Sequence, residues 1–544
     1  MLIFQKIRFP LFVILLFCIN AMVLGQTLPF SIQLNPLTIS GLTGVQSYAY
    51  GQHNGKWLIV SGRTDGLHKS MGMGMMGTPF PSSANNNSFI VVDPVTQQQW
   101  STSIASLPTD IKEQLGSTNT EYFQDGDYLY VLGGYGYNSI AGAHKTFDKL
   151  TAINVPNTIT AIINGNSFTA NIRQISDPKF QVTGGQLEKI YDTYYLIGGH
   201  NFDGTYHSMG GMGMFTQTYT NQIRKFKIAD NGISISVTHL PAITDTACFH
   251  RRDYNLIQQI LPTGHEGLTL FSGVFQTTAD IPYLNCVNID SSGYMLNNAF
   301  TQYYNHYQCA NAPIYSPSKN EMYSLFFGGM AQYFDSSGIM IQDNNAPFVK
   351  TIACVVRNHS GNMKEYKLPV EMPSLLGAGS EFIPVTALPS YSNTVLNFDA
   401  LTQDTTIIGY IYGGISSPSK NVFSGGMMGG NGTSASNNLF SVTLVKPKTA
   451  TSILQSTSNA FQMQIYPNPS NEKINVLFHL AKAEEVRIAL MNSNGQVVWN
   501  EQYSNLAAGA NKVVIEHNHP LAPGNYFVQI TAEGTSVTQQ MIIR

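Results

Sequence analysis

The chain has 544 residues, 43% of them hydrophobic and 11% charged, with 48 Gly and a formal net charge of −3. That length exceeds one ordinary domain, and the apolar share is enough to build large cores. Charged residues fall well below the roughly 25% of a typical soluble chain, and no basic stripe interleaves with aromatics, which excludes the nucleic-acid-binding classes.

Residues 1–25 read as a signal peptide. Lys6 and Arg8 supply a positive region, Leu11 to Ile19 an apolar stretch too short for a good membrane span, and Val23-Leu24-Gly25 small residues for cleavage. No later stretch is long and apolar enough to be a transmembrane span. Cys18 would leave with the signal. Cys248, Cys286, Cys309 and Cys354 remain, an even number that permits two disulfides of open pairing or four buried thiols.

The first strand after the signal is Phe30 to Leu34. Six aromatic and aliphatic runs follow, each ending in a pair of tiny residues: Ser61-Gly62, Gly133-Gly134, Gly198-Gly199, Ser272-Gly273, Gly328-Gly329 and Gly413-Gly414. A copied supersecondary unit cannot bury its apolar faces alone, so the repeat predicts a stacked or closed array. After each pair come a loop, a second strand and a turn, as in Ser88 to Asp93 followed by Pro94-Val95-Thr96 and Trp100. Short strands with Gly and Asp turns at regular spacing predict an all-β closed ring. The strand Leu439 to Leu444 runs straight into Lys446-Pro447-Lys448 and so lacks an outer neighbour. Phe30 to Leu34 is the free strand that would complete it and remove the exposed edge.

The apolar strand ending in Gly-Gly, then a strand ending in Asp-Pro, then a Trp, resembles the kelch repeat over roughly residues 45 to 445. The resemblance implies a six-bladed kelch-like β-propeller spanning residues 26–445, with loops longer than those of a usual kelch unit. Residues 446–460, rich in Ser and Thr, read as a flexible linker. Beyond them, residues 461–544 form a separate small β-domain. It opens on Tyr466-Pro467-Asn468-Pro469-Ser470, turns at Asn494-Gly495, and ends on the strand Met541-Ile542-Ile543-Arg544. This closely resembles the C-terminal sorting domain of the type IX secretion system. It implies a small β-sandwich, a partner in that secretion machinery, and delivery outside the cell or to its surface.

Three loops after the small-residue pairs are rich in Met and Gly. They carry His68, Met71, Met73, Met75 and Met76 in blade one, His207, Met209, Met212 and Met214 in blade three, and Met427 and Met428 in blade six. On the kelch analogy all three emerge on one face of the disc. Soft neutral thioethers suit Cu(I), and imidazole adds affinity for copper. Copper is therefore the candidate cofactor, against a plainer reading of adaptable apolar loops that pack over the mouth or grip a partner. The same face should receive His250, Arg251, Asp253 and His306, a candidate site for an anionic or sugar ligand, or else a structural Arg-Asp tie between blades. No nucleophile elbow, phosphate loop or zinc-protease helix is present. The expected function is a non-enzymatic exported binding protein acting on a protein, glycan or metal. The alternative is a secreted propeller enzyme, of sugar mutarotase or copper oxidase type, with its site at the mouth.

Overall fold

The computed structural model describes residues 28–68, 79–205, 215–422, 432–447, 461–471, 473–493, 495–516, 521–533 and 535–544. The signal segment, most of the linker, and Met71, Met73, Met75, Met76, His207, Met209, Met212, Met214, Met427 and Met428 lie outside the described residues. The chain divides into two compact units, Met1–Lys446 and Pro447–Arg544. No helix among the described residues is long and apolar enough to cross a membrane.

The first unit holds six antiparallel sheets of four main strands each. Blade one runs Ala49–His53, Lys56–Val60, Ser88–Asp93 and Gln98–Ser103 from the axis outward, and blades two to five repeat that order. Blade six takes Leu376–Pro384, Thr405–Ser416 and Leu439–Val445 from one end of the unit and Ser31–Leu37 from the other. The last two pair antiparallel, from Ser31 with Val445 to Leu37 with Leu439. Phe30 anchors this closure in the core, its ring 5.3 Å from Tyr323 and 5.7 Å from Phe398. The expected outer strand is thus the N-terminal one, and its pairing leaves Leu439–Val445 with no open edge.

The tiny pairs explain how the blades join. Both members adopt positive φ in all six blades, including Ser61 at 61° and Ser272 at 53°. In that conformation the second member turns its N–H onto the next blade. Gly62 donates to Ser117, Gly134 to Val182, Gly199 to Arg251, Gly273 to His306, Gly329 to Leu376 and Gly414 to Val45, each to the carbonyl oxygen at 2.8–3.2 Å. Two or three residues after each acceptor, the chain closes a second ring around the axis. Ser47 N–H donates to Gly379, Gly379 to Gln308, Gln308 to Asp253, Asp253 to Gly184, Gly184 to Asn119 and Asn119 to Ser47, at 2.9–3.4 Å. Six backbone amides thereby satisfy one another around the axis of the disc, where each would otherwise need another partner.

Among the described residues three α-helices interrupt the all-strand pattern, Thr109–Leu115, Val155–Ile163 and Thr246–Phe249, and the middle one is the longest. Val155–Ile163 connects the third and outer strands of blade two, capped by the Asn154 side chain, which accepts from Asn157 N–H at 3.0 Å. Its apolar face joins the core shared by blades one and two.

The second unit consists of two sheets. One orders Gln464–Tyr466, Lys473–Leu480 and Gly509–Glu516; the other orders Val497–Leu506, Glu484–Asn492, Gly524–Ala532 and Thr535–Ile543. Alternate side chains from both sheets, among them Ile474, Val476, Ile488, Val528 and Met541, build a core of their own.

Candidate functional site at the propeller mouth

The loops joining second and third strands leave one face of the disc. On that face a cavity of about 750 Å³ opens over the amide ring. Its floor is made by ring members Ser47, Asn119, Asp253, Gln308 and Gly379. Much of its wall comes from two repeated positions, the residue just before a ring member and the residue just after a tiny pair, with loop residues such as His68, Phe80, Tyr219 and His250 completing it. These two positions meet as short backbone bridges, Gln46 with Arg63, Thr118 with Tyr135, Thr183 with His200, and Arg252 with Val274. A smaller pocket of about 120 Å³ adjoins it around His200, Tyr135 and Phe202. The fold therefore aims equivalent positions of each blade at one space, and the sequence decides what chemistry they carry.

The charged chemistry gathers on one side. Asp253 sits in the ring with φ at 50°, a left-handed conformation held by bonds to both ring neighbours. Its Oδ1 accepts from Asn119 Nδ2 at 3.2 Å, and its Oδ2 lies 3.6 Å from Arg252 Nε. Burial raises the Asp253 carboxyl above the ordinary range, against the pull of Arg252. The Arg252 guanidinium lies 4.3 Å over the Phe275 ring and 3.3 Å from His200 Nδ1. Burial, reinforced by Arg252, holds His200 well below its usual range. His68 is lowered to about 4 by burial first, then by Arg252 and Arg63. Both imidazoles are neutral at physiological pH, with a ring nitrogen lone pair each. His250 stacks on Tyr219 at 3.8 Å, and its Nδ1 lies 3.1 Å from Asn221 Oδ1.

Of the residues singled out from sequence, His68, His250 and Asp253 line this cavity. Arg251 and His306 do not, and the repeat gives the reason. Each stands two residues before a ring member, the position whose carbonyl accepts the bond from the preceding blade's tiny pair. The side chain there is buried in every blade. Arg251 donates to Ser272 O at 2.8 Å and to Asn285 Oδ1 at 2.6 Å, under the Tyr283 ring. His306 Nε2 donates to Gln302 O at 3.0 Å while Nδ1 accepts from Gln332 N–H at 3.0 Å. Both hold neighbouring chain segments together at the ends of the strands. The sequence does not single out Arg252 or Arg63, and it points to His200, after Gly198-Gly199, as a loop residue rather than a ligand. Their signal was position: each directly precedes a ring member or directly follows a tiny pair.

No group of three or more His, Cys, Asp or Glu side chains is arranged to hold a metal among the described residues. The four cysteines are buried free thiols, each raised by burial.

Residues 464–544 match the family model described as the secretion system C-terminal sorting domain. A search of curated proteins finds no match. Among solved structures, that of YjhT is 11% identical with a TM-score of 0.39, covering 74% of this chain and 98% of its own. A family 43 arabinoxylan arabinofuranohydrolase from Bacillus subtilis, in complex with cellotetraose, is 11% identical with a TM-score of 0.28, covering 92% and 95%. Likeness at this level carries no information about activity. The C-terminal unit is a type IX sorting domain, and it marks the chain for secretion or the cell surface.

Proposed function

We propose that this exported chain is a non-enzymatic binding protein, built on a kelch-type propeller, whose mouth face takes copper through its Met-rich loops. The observation that supports this is where the loops are rooted. His68 and Phe80 flank the first loop, Tyr219 follows the second, Ile415 precedes the third, and all four line the one mouth cavity. The roots of the first and third loops touch, with Leu67 N–H donating to Thr433 Oγ1 at 3.1 Å. Met330, directly after the blade-five pair, adds a buried thioether to the same wall. Neutral His68 needs no deprotonation before ligating a metal.

The test is a competition titration against a Cu(I) chelator. One protein is wild type; the other carries Leu at Met71, Met73, Met75, Met76, Met209, Met212, Met214, Met427 and Met428. Leu keeps apolar bulk and removes sulfur, so copper retention should fall by about tenfold or more, with Zn²⁺ bound weakly by both. Equal retention by the two proteins rejects copper and leaves apolar loops for adhesion.

A second reading, a propeller enzyme acting on a saccharide at the mouth, is favoured by the strained Asp253 beside Arg252. Turnover of a sugar by wild type and its loss in Asp253→Asn would establish it in place of the first.

A further inference from the structure

Below the amide ring lies a second cavity, of about 340 Å³, lined by the innermost strands of all six blades. It runs toward the opposite face, past Gly126 and Thr386 in the turns between first and second strands. Gln308 in the ring lines both cavities, so the ring divides mouth from channel.

The channel has an unbalanced chemistry. Its lining includes Glu121, Glu188 and Glu381 but no Lys, Arg or His among the described residues. Glu188 accepts from Gln258 Nε2, and Glu381 accepts from the Tyr122 hydroxyl and from Gln308 Nε2 at 3.2 Å. Burial first, with mutual repulsion between the two at Glu188, pushes both carboxyls up to about 8. An independent sign of a missing donor is Gln258. It is 7% exposed and lines the channel, its Nε2 is spent on Glu188, and its Oε1 has no hydrogen-bond partner. A buried acceptor left unpaired costs on the order of 1–3 kcal/mol. The Tyr50 and Tyr122 rings, 5.5 Å apart and edge to face, complete an aromatic wall.

We propose that the axial channel binds an organic ammonium group, seated between Glu188 and Glu381 with an N–H donated to Gln258 Oε1. The space far exceeds a bare ion, and no cluster of three acidic or metal-binding side chains converges in it. An ammonium brings three donors and a full positive charge to a set of acceptors that lacks both. The tyrosine faces add cation–π attraction in a desolvated setting. The group enters from the face opposite the mouth cavity, so this site is separate from the mouth.

The ammonium has two possible sources, a free amine or the side chain of a lysine on another chain. Isothermal titration calorimetry of the full chain near pH 7 separates them. Spermidine serves as the free amine, acetyl-Gly-Lys-Gly-amide as the tethered one, and calcium chloride as the metal. At least one amine should saturate at one equivalent, and the one that does identifies the source. Glu188→Gln and Glu381→Gln should each weaken it about tenfold or more, because removing one member of a buried charge pair strands the other. Wild type should also release protons on binding near pH 7, seen as a heat that varies with buffer ionisation enthalpy. That readout decides the matter even if a variant fails to fold. Failure of both amines to bind, binding unchanged in both variants, absence of proton release, or calcium binding in place of amine would each overturn the proposal.

Discussion

At the scale of the residue, the amide ring sorts side chains into three destinations. Ring members and their immediate predecessors face the mouth, the residues two or three before them are buried between blades, and residues of the innermost strands that follow, such as Tyr50, Glu188 and Glu381, line the channel. His306 shows what the middle position demands. It is fully buried, neutral, and holds two backbone partners with its two ring nitrogens. Burial lowers it to about 4, against about 6.5 in an unfolded chain. The unfolded state therefore binds the extra proton first as pH falls. Stability is intact above pH 6.5 and declines from there down to about 4, at up to about 1.4 kcal/mol per pH unit for this one group. His306→Gln supplies a donor and an acceptor without titrating. It should cost about 1–2 kcal/mol at pH 7.5 yet flatten the acid side of a plot of melting temperature against pH. An unchanged acid slope would place the titration elsewhere. The channel carboxyls act in the opposite sense. Glu188 and Glu381 favour their protonated forms in the fold, so stability is lost as pH rises from about 4.5 through about 8.

At the scale of the element, the tiny pair is the joint of the ring, and its constraint is both conformational and steric. Gly126 and Gly133 have similar φ, 59° and 56°. A Cβ at Gly126 meets nothing within 4 Å, whereas one at Gly133 would stand 2.1 Å from Val182 O and 2.8 Å from Glu121 Oε2. Gly126→Ala should therefore cost about 1–2 kcal/mol for the left-handed backbone alone. Gly133→Ala should exceed that by at least about 2 kcal/mol, because the neighbouring blade must move. Comparing the two melting temperatures measures the steric share directly, and equal losses would deny the joint its role. These pairs were legible in the sequence because tiny residues stand out after a run of large ones. The closing strand was legible for a similar reason, since one strand lacked a neighbour and another lacked a sheet. The helix Val155–Ile163 was not read, although Asn154 and Pro156 carry a cap and a first-turn proline. The mouth was half legible. His68, His250 and Asp253 fall where the sequence places the loops and inner-strand entries, but the cavity holds Arg252 rather than Arg251, and His306 is buried away from it. Adjacent residues face opposite ways, and only the ring register says which one faces the cavity.

At the scale of the whole molecule, two cores are built from separate stretches of chain. The propeller ring is closed by Ser31–Leu37 at one end and Leu439–Val445 at the other, so its last structural need is met before the linker begins. The sorting unit gathers its apolar side chains wholly from Phe461 to Ile543. Among the described residues each core cluster is made of side chains from its own stretch of chain, and domains so composed fold as independent units. Deleting residues 461–544 should then leave the propeller's melting transition within a few degrees of its value in the full chain. What the deletion removes is the secretion signal carried by residues 464–544. The truncated protein should accumulate in the periplasm while the full chain reaches the surface or the medium, as cell fractionation and surface proteolysis would report. Surface delivery of the truncated chain would mean that the propeller carries its own export signal. A truncated chain that aggregates would instead show that the ring depends on the sorting unit to fold, against the self-contained closure of blade six.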